Sequence, residues 1–403
     1  MKVLIADKFS DEHVRKLAAM GCDVTYEPNV KADQLPNIVG PYEVLVVRGK
    51  VVSAAVIEAS TQLTLIMRAG AGVNTIDVKA ASRRGVYVTN CPGKNSIAVA
   101  ELAFALMLAI DRRICENVAA LKAHQWDKKG FSQADGVFGK TLGIVGVGAI
   151  GREVITRAKA FGLNVIAWSR SLTPEAAEEL GVEACPIVDD IFKRSDIISL
   201  HLALSADTKG FVSKDRIALM KPGAIFINTA RGEVVDQAAL REAVAAGKIR
   251  AGLDVFDGEP ADGTGTYSDP IVDLPNLYGT HHIGASTEQA QSAIAEEALR
   301  IIDHYRSTGV VLNCVNLAKK TPAKFQLVVR HYDRVGVLAF VMDQIRRAEI
   351  NVEEVHNVIF EGAEAASCRI QLKTEPPADL LTAIKQGNDN IIELELIRLA
   401  DAG

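Results

Sequence analysis

The sequence predicts an α/β protein with two doubly wound parallel-sheet domains and a smaller C-terminal domain of βαββαβ order. Short β-branched runs alternate with amphipathic stretches up to about residue 310, which is typical of parallel sheets covered by helices. After a connector rich in Asn, Lys and Pro, the remaining residues follow a different plan. A chain of 403 residues is also too long for one ordinary core, at roughly 100–200 residues per domain.

The first series of strands is expected at residues 3–6, 44–47, 63–67 and 86–88. A long helix should follow, because Ala98, Leu102, Ala105 and Leu108 recur at helical spacing. Ser96 is expected to cap this helix, which could cross between two domains.

The second series begins at Thr141, with strands expected at residues 142–145, 165–168, 197–200, 225–227 and 251–253. Their nearly continuous hydrophobicity favours strands that are buried on both faces. A further long helix, residues 286–304, could return the chain to the first sheet. We therefore expect a discontinuous first domain, residues 1–97 with 285–316, and a second domain, residues 98–284.

The tail, residues 317–403, is expected to form a third domain. Its pattern reads strand 326–330, helix 335–348, strands 352–359 and 367–372, helix 378–385 and strand 391–397. That order is the split βαβ motif of ferredoxin-like domains.

Composition and charge narrow the classes of function. The net charge of −5 is spread along the chain without a basic block, so we expect no nucleic-acid partner. No apolar run reaches the roughly 20 residues that span a bilayer, and the N-terminus does not read as a secretory signal, so we expect no membrane association and a cytoplasmic location. The six cysteines are widely spaced, which favours reduced thiols and no metal site.

Gly146-Val147-Gly148-Ala149-Ile150-Gly151 matches the dinucleotide-binding fingerprint. It follows a predicted strand and opens a predicted helix, so Gly146 can make the tight turn, Gly148 can admit a pyrophosphate and Gly151 can let the helix approach the sheet. The helix N-terminus would add free N–H groups and a positive dipole end. We interpret the two parallel-sheet domains as Rossmann-like and expect NAD or NADP as cofactor; a glycine turn without a ligand is the alternative.

Ser169 and Arg170 follow the second strand of this series, where a carboxylate would bind the ribose 2′-hydroxyl of NAD. Ser169 removes that negative charge, and Arg170 could pair with a 2′-phosphate. The pattern favours NADP; in the alternative, Arg170 is a solvated surface charge and the protein uses NAD.

Three later segments follow predicted strands and carry Arg231, Glu259 and His282. Reduction of a 2-keto acid needs a cation for the carboxylate and a proton donor for the carbonyl oxygen. Arg231 can supply the first and His282 the second, with Glu259 orienting the imidazole. A metal site at His281 and His282 is the alternative, but no third ligand stands at metal spacing.

Through residues 228–232, 254–260 and 282–287, the chain resembles the D-2-hydroxyacid dehydrogenases over about residues 45–285. The resemblance implies that Arg231, Glu259 and His282 are the catalytic residues. It also implies further dinucleotide contacts, from Ala149, Ile150, His201, Thr208, Thr229, Asp254 and Gly284. The expected reaction is hydride transfer between NAD(P) and a D-2-hydroxy acid, with 3-phosphoglycerate as the expected substrate.

A phosphorylated hydroxy or keto acid is the expected small-molecule partner. Arg48 and Arg68 end neighbouring predicted strands, and parallel neighbours could aim two cations at one phosphate. The turn of Gly70, Ala71 and Gly72 could offer backbone N–H groups to a carboxylate. Asn95 belongs to the substrate site by the resemblance. Arginines that merely cap the sheet edge are the alternative.

The segment 331–338 resembles an ACT domain, a small amino-acid-sensing module that usually pairs between subunits. The resemblance implies an effector site at His331 and Asp333 and a homodimer or homotetramer. Asp333 stands where relatives inhibited by serine carry Asn, which replaces a donor amide by an acceptor-only carboxylate. A purely structural dimerisation module is the alternative.

Three other functions are weighed against the expected one. Glyoxylate or hydroxypyruvate reduction fits Ser169 and Arg170 but leaves the tail without a role. A non-catalytic, dinucleotide-sensing regulator would tolerate loss of Arg231, Glu259 and His282, yet all three are present. Formate oxidation would need no phosphate-binding arginines.

Overall fold

The computed structural model describes residues 1–260, 264–318 and 320–399. The chain divides into two compact units, Met1–Asn316 and Leu317–Gly403. Within the expected third domain, Lys319 and residues 400–403 lie outside the described residues.

The first unit begins with a five-stranded parallel sheet of order β2-β1-β3-β4-β5. Its strands are β1 (Lys2–Ile5), β2 (Asp23–Tyr26), β3 (Val44–Val47), β4 (Leu65–Arg68) and β5 (Tyr87–Asn90). Its connecting helices are α1 (Asp11–Ala19), α2 (Leu35–Ile38), α3 (Ala54–Glu58) and α4 (Val78–Arg83). Strand β3 is buried throughout, as its run of Val and Leu predicts for a central parallel strand.

A seven-stranded parallel sheet of order β12-β11-β10-β9-β6-β7-β8 completes the first unit. Its strands are β6 (Thr141–Val145), β7 (Asn164–Trp168), β8 (Glu183–Ala184), β9 (Ile197–Leu200), β10 (Ile225–Asn228), β11 (Arg250–Leu253) and β12 (Leu277–Gly279). The helices of this part are α5 (Ser96–Arg112), α6 (Ile114–Lys122), α7 (Ala149–Ala160), α8 (Pro174–Leu180), α9 (Val188–Arg194), α10 (Lys214–Leu219) and α11 (Gln237–Ala245).

Helix α12 (Glu288–Thr308) leaves the second sheet and packs on the first. Ile294 and Ala298 of α12 share a hydrophobic core with Val3 and Val44 of the five-stranded sheet. Helix α5, in contrast, packs in a core with Leu142 of the seven-stranded sheet. On these contacts we propose the division of the first unit into residues 1–97 with 285–316 and residues 98–284.

The second unit contains a four-stranded antiparallel sheet of order β14-β15-β13-β16. Its elements are β13 (Phe325–Tyr332), α13 (Val337–Arg347), β14 (Val352–Ile359), β15 (Ala365–Leu372), α14 (Ala378–Gln386) and β16 (Ile391–Arg398). Leu327, Val329 and Ile370 pack against Val341 and Ile384 of the two helices, which gives this unit a hydrophobic core of its own.

Two expectations about local structure need correction. The strands β2, β8 and β12 were not predicted, because they are short, partly exposed edge strands without a buried apolar run. Ser96 does not cap the long helix: it is the first residue of α5, Asn95 stands at the N-cap, and no side-chain capping bond forms. Both are residue types that favour caps, so composition alone could not choose between them.

Among the described residues, no helix combines the length and the apolar character needed to cross a bilayer. The same part of the chain contains no group of three or more His, Cys, Asp or Glu side chains arranged to hold a metal ion. All six cysteines are free thiols.

Candidate active site

The segments that carry Arg231, Asp254 and His282 follow three neighbouring strands of the seven-stranded sheet. Asn228 is paired with Leu253, and Leu253 with Gly279, in parallel register. The carboxyl ends of β10, β11 and β12 therefore lie side by side, at the edge where open α/β sheets bind their ligands.

Asp254 fixes the loop that carries His282. Its buried carboxylate accepts hydrogen bonds from Thr280 Oγ1 at 2.7 Å and from the N–H groups of Ile283 and Gly284 at 2.8 Å each. The His282 N–H also donates to the Asp254 carbonyl at 2.8 Å, and His282 has a φ of 53°. The left-handed conformation of His282 is thus imposed by the bonds around Asp254.

His282 and Glu259 form a close pair. The Nδ1 atom of His282 lies 2.7 Å from Glu259 Oε2, and the Phe256 N–H donates to Glu259 Oε1 at 2.8 Å. Burial raises the pKa of Glu259, but the hydrogen bonds from His282 and Phe256 and the charge of Arg231 together lower it below its ordinary value. Nδ1 is engaged, so Nε2, which has no partner among the described residues, is the ring nitrogen available to a substrate.

Asn228 holds the loop of Arg231, a role that the sequence analysis did not assign. Its Oδ1 accepts from the Ala230 N–H at 2.9 Å, and its Nδ2 donates to the Arg231 carbonyl at 3.0 Å. The neighbouring Gly232 lies on the backbone of Phe256, where an added Cβ would stand 2.1 Å from the carbonyl carbon. This contact brings the Arg231 loop against the loop that carries Glu259.

The guanidinium of Arg231 reaches the glycine turn of the five-stranded sheet. A Cβ built on Gly72 would stand 2.6 Å from Arg231 Nη2, and one built on Gly70 would stand 1.8 Å from Arg68 Nη1. Both glycines therefore leave room for arginine side chains. The structure thus places Arg231, which was predicted to bind the substrate carboxylate, close to Arg68, which was predicted to bind the phosphate.

Arg48, Arg68 and Arg231 form a cluster of cations, whose nearby acidic groups are Asp7, which acts on Arg68, and Glu259, which feels the charge of Arg231. The pKa of Arg68 is lowered to about 10, first by burial and then by the charges of Arg231 and Arg48. The Nε atom of Arg68 is buried and has no hydrogen-bond partner among the described residues. None of the three arginines forms an ion pair with a described residue. Asp7 fixes the position of Arg48 by accepting the N–H groups of residues 48–50, and sequence reasoning missed this residue.

Asn95 lies near the glycine turn of the second sheet. Its Oδ1 and the Ser96 Oγ are buried without partners among the described residues. A Cβ built on the adjacent Gly93 would stand 3.8 Å from the Ala149 Cβ. Asn95 is therefore free to bind a ligand beside the start of α7.

The glycine turn has the geometry of a dinucleotide site. Gly146 has a φ of 102°, and a Cβ there would stand 2.6 Å from the His201 carbonyl oxygen. A Cβ on Gly151 would stand 2.2 Å from the Gly146 carbonyl oxygen, whereas Gly148 has no neighbour within 4 Å. The tight positions need glycine for packing, while the open one leaves space for a pyrophosphate at the α7 N-terminus.

Polar atoms around this turn also fit a bound dinucleotide. Thr229 Oγ1 and His201 Nδ1 are buried without partners among the described residues. Burial lowers the pKa of His201 to about 3, so its ring is neutral, and Ser199 Oγ lies 2.9 Å from its Nε2. Thr208 is already engaged, because its hydroxyl donates to the Ala203 carbonyl at 2.6 Å.

Ser169 and Arg170 lie at the end of β7, beside the glycine turn. Arg170 is exposed, and its Nη1 lies 3.4 Å from Asp207 Oδ2. Asp207 was not among the predicted site residues.

In the second unit, His331 is buried on strand β13, with 1% of its surface exposed. Its Nδ1 lies 2.8 Å from the Tyr332 carbonyl, and its Nε2 has no partner among the described residues. The Asp333 backbone N–H donates to the Glu364 carbonyl at 2.9 Å. The Asp333 carboxylate has no hydrogen bond in the described part of the chain.

A parallel sheet with an open glycine turn, and an imidazole–carboxylate pair at the carboxyl ends of its strands, defines a nicotinamide-dependent oxidoreductase. The comparisons with known proteins agree. Residues 104–284 match the family model described as "D-isomer specific 2-hydroxyacid dehydrogenase, NAD binding domain". The chain belongs to the D-2-hydroxyacid dehydrogenase family.

Individual relatives extend this match. The D-3-phosphoglycerate dehydrogenase of Methanocaldococcus jannaschii is 36% identical over 98% of this chain and 74% of its own length. The hydroxypyruvate reductase of Thermotoga maritima is 43% identical over 70% of this chain and 90% of its own length. The chain spans only 62% and 54% of two other D-3-phosphoglycerate dehydrogenases.

Among solved structures, the TT0316 protein from Thermus thermophilus is similar, with a TM-score of 0.70 and 32% identity. That likeness covers 78% of this chain and 100% of the other. The predicted α/β class with parallel sheets is confirmed, and so is the family.

Proposed function

We propose that the chain is a D-3-phosphoglycerate dehydrogenase, which transfers a hydride between a nicotinamide dinucleotide and the C2 carbon of 3-phosphoglycerate. The observation that carries this is the cluster of Arg48, Arg68 and Arg231, three cations that make no ion pair within the described part of the chain and lie near the His282–Glu259 pair. A substrate with a carboxylate at one end and a phosphate at the other would neutralise such a cluster. A small unphosphorylated acid would leave the half-buried Arg68 unpaired.

The reaction follows from the positions of these side chains. Arg231 binds the substrate carboxylate and places C2 beside the dinucleotide site. His282 Nε2 takes the proton of the C2 hydroxyl during oxidation and returns it to the carbonyl oxygen during reduction. Glu259 holds the ring through Nδ1 and stabilises the charged imidazolium. When bound, the dinucleotide supplies the nicotinamide that accepts or donates the hydride.

We assign the substrate phosphate to Arg48 and Arg68, with the turn of Gly70, Ala71 and Gly72 and with Asn95 around the remaining oxygens. The test replaces Arg68 by Met, a neutral side chain of similar length. Loss of a charged hydrogen bond worth about 1.5–3 kcal/mol should raise KM for 3-phosphoglycerate about 10- to 100-fold. KM for an unphosphorylated hydroxy acid should change less than about threefold. The exposed Arg83, on α4 of the same sheet, gives the matched control Arg83→Met. Equal effects of Arg68→Met on both substrates would contradict phosphate binding.

Hydroxypyruvate reduction is the second candidate function, favoured by the relative from Thermotoga maritima. Turnover of 3-phosphoglycerate, hydroxypyruvate and glyoxylate by the wild-type protein separates the two. We expect the highest kcat/KM on the phosphorylated substrate, and a preference for hydroxypyruvate would favour the second candidate.

We assign NADP as the preferred dinucleotide because Ser169 carries no charge and Arg170 can pair with a 2′-phosphate. The phosphates would lie at Gly148, Ala149 and Ile150, with Gly146 and Gly151 shaping the turn. We assign further contacts to His201, Thr229 and Gly284, and also to Thr208 and Asp254, whose side chains already form hydrogen bonds within the protein. Comparison of kcat/KM for NADP and NAD tests the preference. A clear preference for NAD that survives Arg170→Ala would contradict it.

For the C-terminal unit we propose an ACT-like regulatory role, supported by its antiparallel β14-β15-β13-β16 sheet under two helices. The effector site would include His331, whose Nε2 lacks a partner among the described residues, and Asp333. Calorimetry with L-serine tests this proposal. Absence of both heat and inhibition would favour a structural role in a homodimer or homotetramer.

A further inference from the structure

Asp207 and Arg170 form an exposed ion pair between two segments that flank the glycine turn in strand order. In the sheet, β6 lies between β9 and β7, and the glycine turn follows β6. Arg170 comes from the segment after β7, and Asp207 from the segment after β9. Their 3.4 Å contact therefore joins the two flanking segments across the site assigned to the dinucleotide.

The segment that carries Asp207 is held in place by its neighbour. Thr208 is buried; its hydroxyl donates to the Ala203 carbonyl at 2.6 Å and accepts from the Ser205 N–H at 2.8 Å. On the other side, the Leu172 N–H closes a turn onto the Ser169 carbonyl at 3.2 Å. The backbone on each side of the ion pair is thus fixed by its own hydrogen bonds, although both charged side chains are exposed.

Asp207 supplies a carboxylate near the end of β7, where the β7 segment itself has none. In this fold a carboxylate at that place binds the ribose 2′-hydroxyl and repels a 2′-phosphate, and here Ser169 stands instead. Asp207 brings a carboxylate to the same neighbourhood from a different strand. Asp207 also pairs with Arg170, whose guanidinium would otherwise be available to bind a 2′-phosphate.

We propose that Asp207 is a specificity-determining residue, which restrains the preference for NADP by pairing with Arg170. The inference rests on the proposed dinucleotide site and deepens it, since it says which residue limits the NADP preference. The carboxylate is solvent-exposed, so its effect is modest and is screened by salt.

The test is Asp207→Asn, which keeps the shape of the side chain and removes the charge. Dissociation constants for 2′,5′-ADP and for AMP, measured by calorimetry, report the 2′-phosphate directly and do not depend on catalysis. We expect Asp207→Asn to bind 2′,5′-ADP about three- to fivefold more tightly at low salt, with AMP changed less than about twofold. The gain should shrink as the salt concentration rises to about 0.5 M.

Glu179→Gln is the matched control, because Glu179 is an exposed carboxylate on α8 of the same sheet. If Asp207 acts through Arg170, the gain should disappear when Asp207→Asn is made in an Arg170→Ala background. An Asp207→Asn protein that binds both nucleotides as Glu179→Gln does would overturn the proposal, and so would a full gain without Arg170. A wild-type protein that prefers NAD would refute only the NADP assignment. The proposal for Asp207 concerns how the ratio of the dissociation constants for 2′,5′-ADP and AMP changes when its charge is removed.

Discussion

Arg231 Nη2 lies against Gly72, so close that a Cβ on Gly72 would stand 2.6 Å away. Gly72 belongs to the turn after β4 of the five-stranded sheet, and Arg231 follows β10 of the seven-stranded sheet. The two sheets thus meet at Arg231, the residue assigned to the substrate carboxylate. A substitution at Gly72 or at Arg231 should therefore alter the rate of the reaction.

Gly72→Ala should lower kcat/KM for the hydroxy acid by about tenfold or more. The added methyl group must displace the Arg231 guanidinium, and a displacement of about 1 Å at a positioning residue can cost about 100-fold. Steady-state kinetics measures the effect. Gly40→Ala, whose Cβ would lie 4.0 Å from its nearest neighbour, is the control and should behave like the wild type. Full activity of Gly72→Ala would show that Arg231 does not act from this position.

Glu259→Gln should lower kcat about 10- to 100-fold and leave dinucleotide binding unchanged. Glutamine keeps the shape of the side chain but removes the charge that stabilises the protonated ring. The lowered pKa of Glu259 keeps it ionised above the ordinary Glu range, so the loss should persist between about pH 5 and 9.

Glu233→Gln is the control. Glu233 lies two residues after Arg231, and its side chain forms no hydrogen bond in the described part of the chain. His282→Gln should lose more activity than Glu259→Gln. If the two glutamine variants at positions 233 and 259 are equally active, Glu259 has no role in proton transfer.

Gly148→Ala and Gly151→Ala should separate ligand binding from folding. Gly148 has open space at its Cβ position, so the alanine should leave the melting temperature within about 2 °C but weaken dinucleotide binding more than about tenfold. At Gly151 the Cβ would stand 2.2 Å from a backbone oxygen, so overpacking of about 1–3 kcal/mol should lower the melting temperature by several degrees. Thermal melts and titration with the reduced dinucleotide check both, and the opposite order of effects would refute the assignment of the turn.

Glu297 should contribute to stability in a pH-dependent way. Its carboxylate accepts two bonds from Arg300 and one from Asn313 and lies 3.4 Å from Lys94 Nζ. The hydrogen bonds from Arg300 are the largest cause that lowers the pKa of Glu297, and burial opposes them. With the charges of Arg300 and Lys94 and the bond from Asn313, the pKa falls from 4.5 to about 2. The stabilisation, on the order of 3 kcal/mol, is fully present above about pH 4.5 and is lost as the pH falls through about 2.

Thermal melts of the wild type and Glu297→Gln should therefore differ most above pH 5 and converge towards pH 2. Glu12→Gln removes a carboxylate from the exposed pair with Lys16 and serves as the control, with no expected shift in the melting temperature. A constant difference between wild type and Glu297→Gln from pH 7 to pH 2 would contradict the lowered pKa.

The sequence predicted the central strands and long helices because their apolar runs and helical spacing are local patterns. It did not predict the edge strands β2, β8 and β12, whose residues lie half in solvent and gain their strand structure from a neighbour. It also assigned the cap of α5 to Ser96, whereas Asn95 occupies the N-cap position. The Ser96 hydroxyl is buried without a hydrogen-bond partner among the described residues, so it caps no helix N–H.

Within the candidate site, Arg231, Glu259 and His282 could be proposed from sequence because each follows a strand and has the chemistry that the reaction needs. Asn228, Asp7 and Asp207 could not. Asp7 acts on residue 48 across 41 positions of sequence, and Asp207 meets Arg170 across 37. No local pattern records such contacts.

The sequence by itself determined the class of fold, the dinucleotide turn and the family, because these depend on side-chain type and on spacing along one or two elements. Only the tertiary structure decided that three arginines share one site and that Gly72 must make room for Arg231. It also decided that Asp207 brings a carboxylate to Arg170, beside the end of β7. The physical reason is that charge, burial and steric exclusion act through space. Their outcome depends on which strand ends the sheet order brings together.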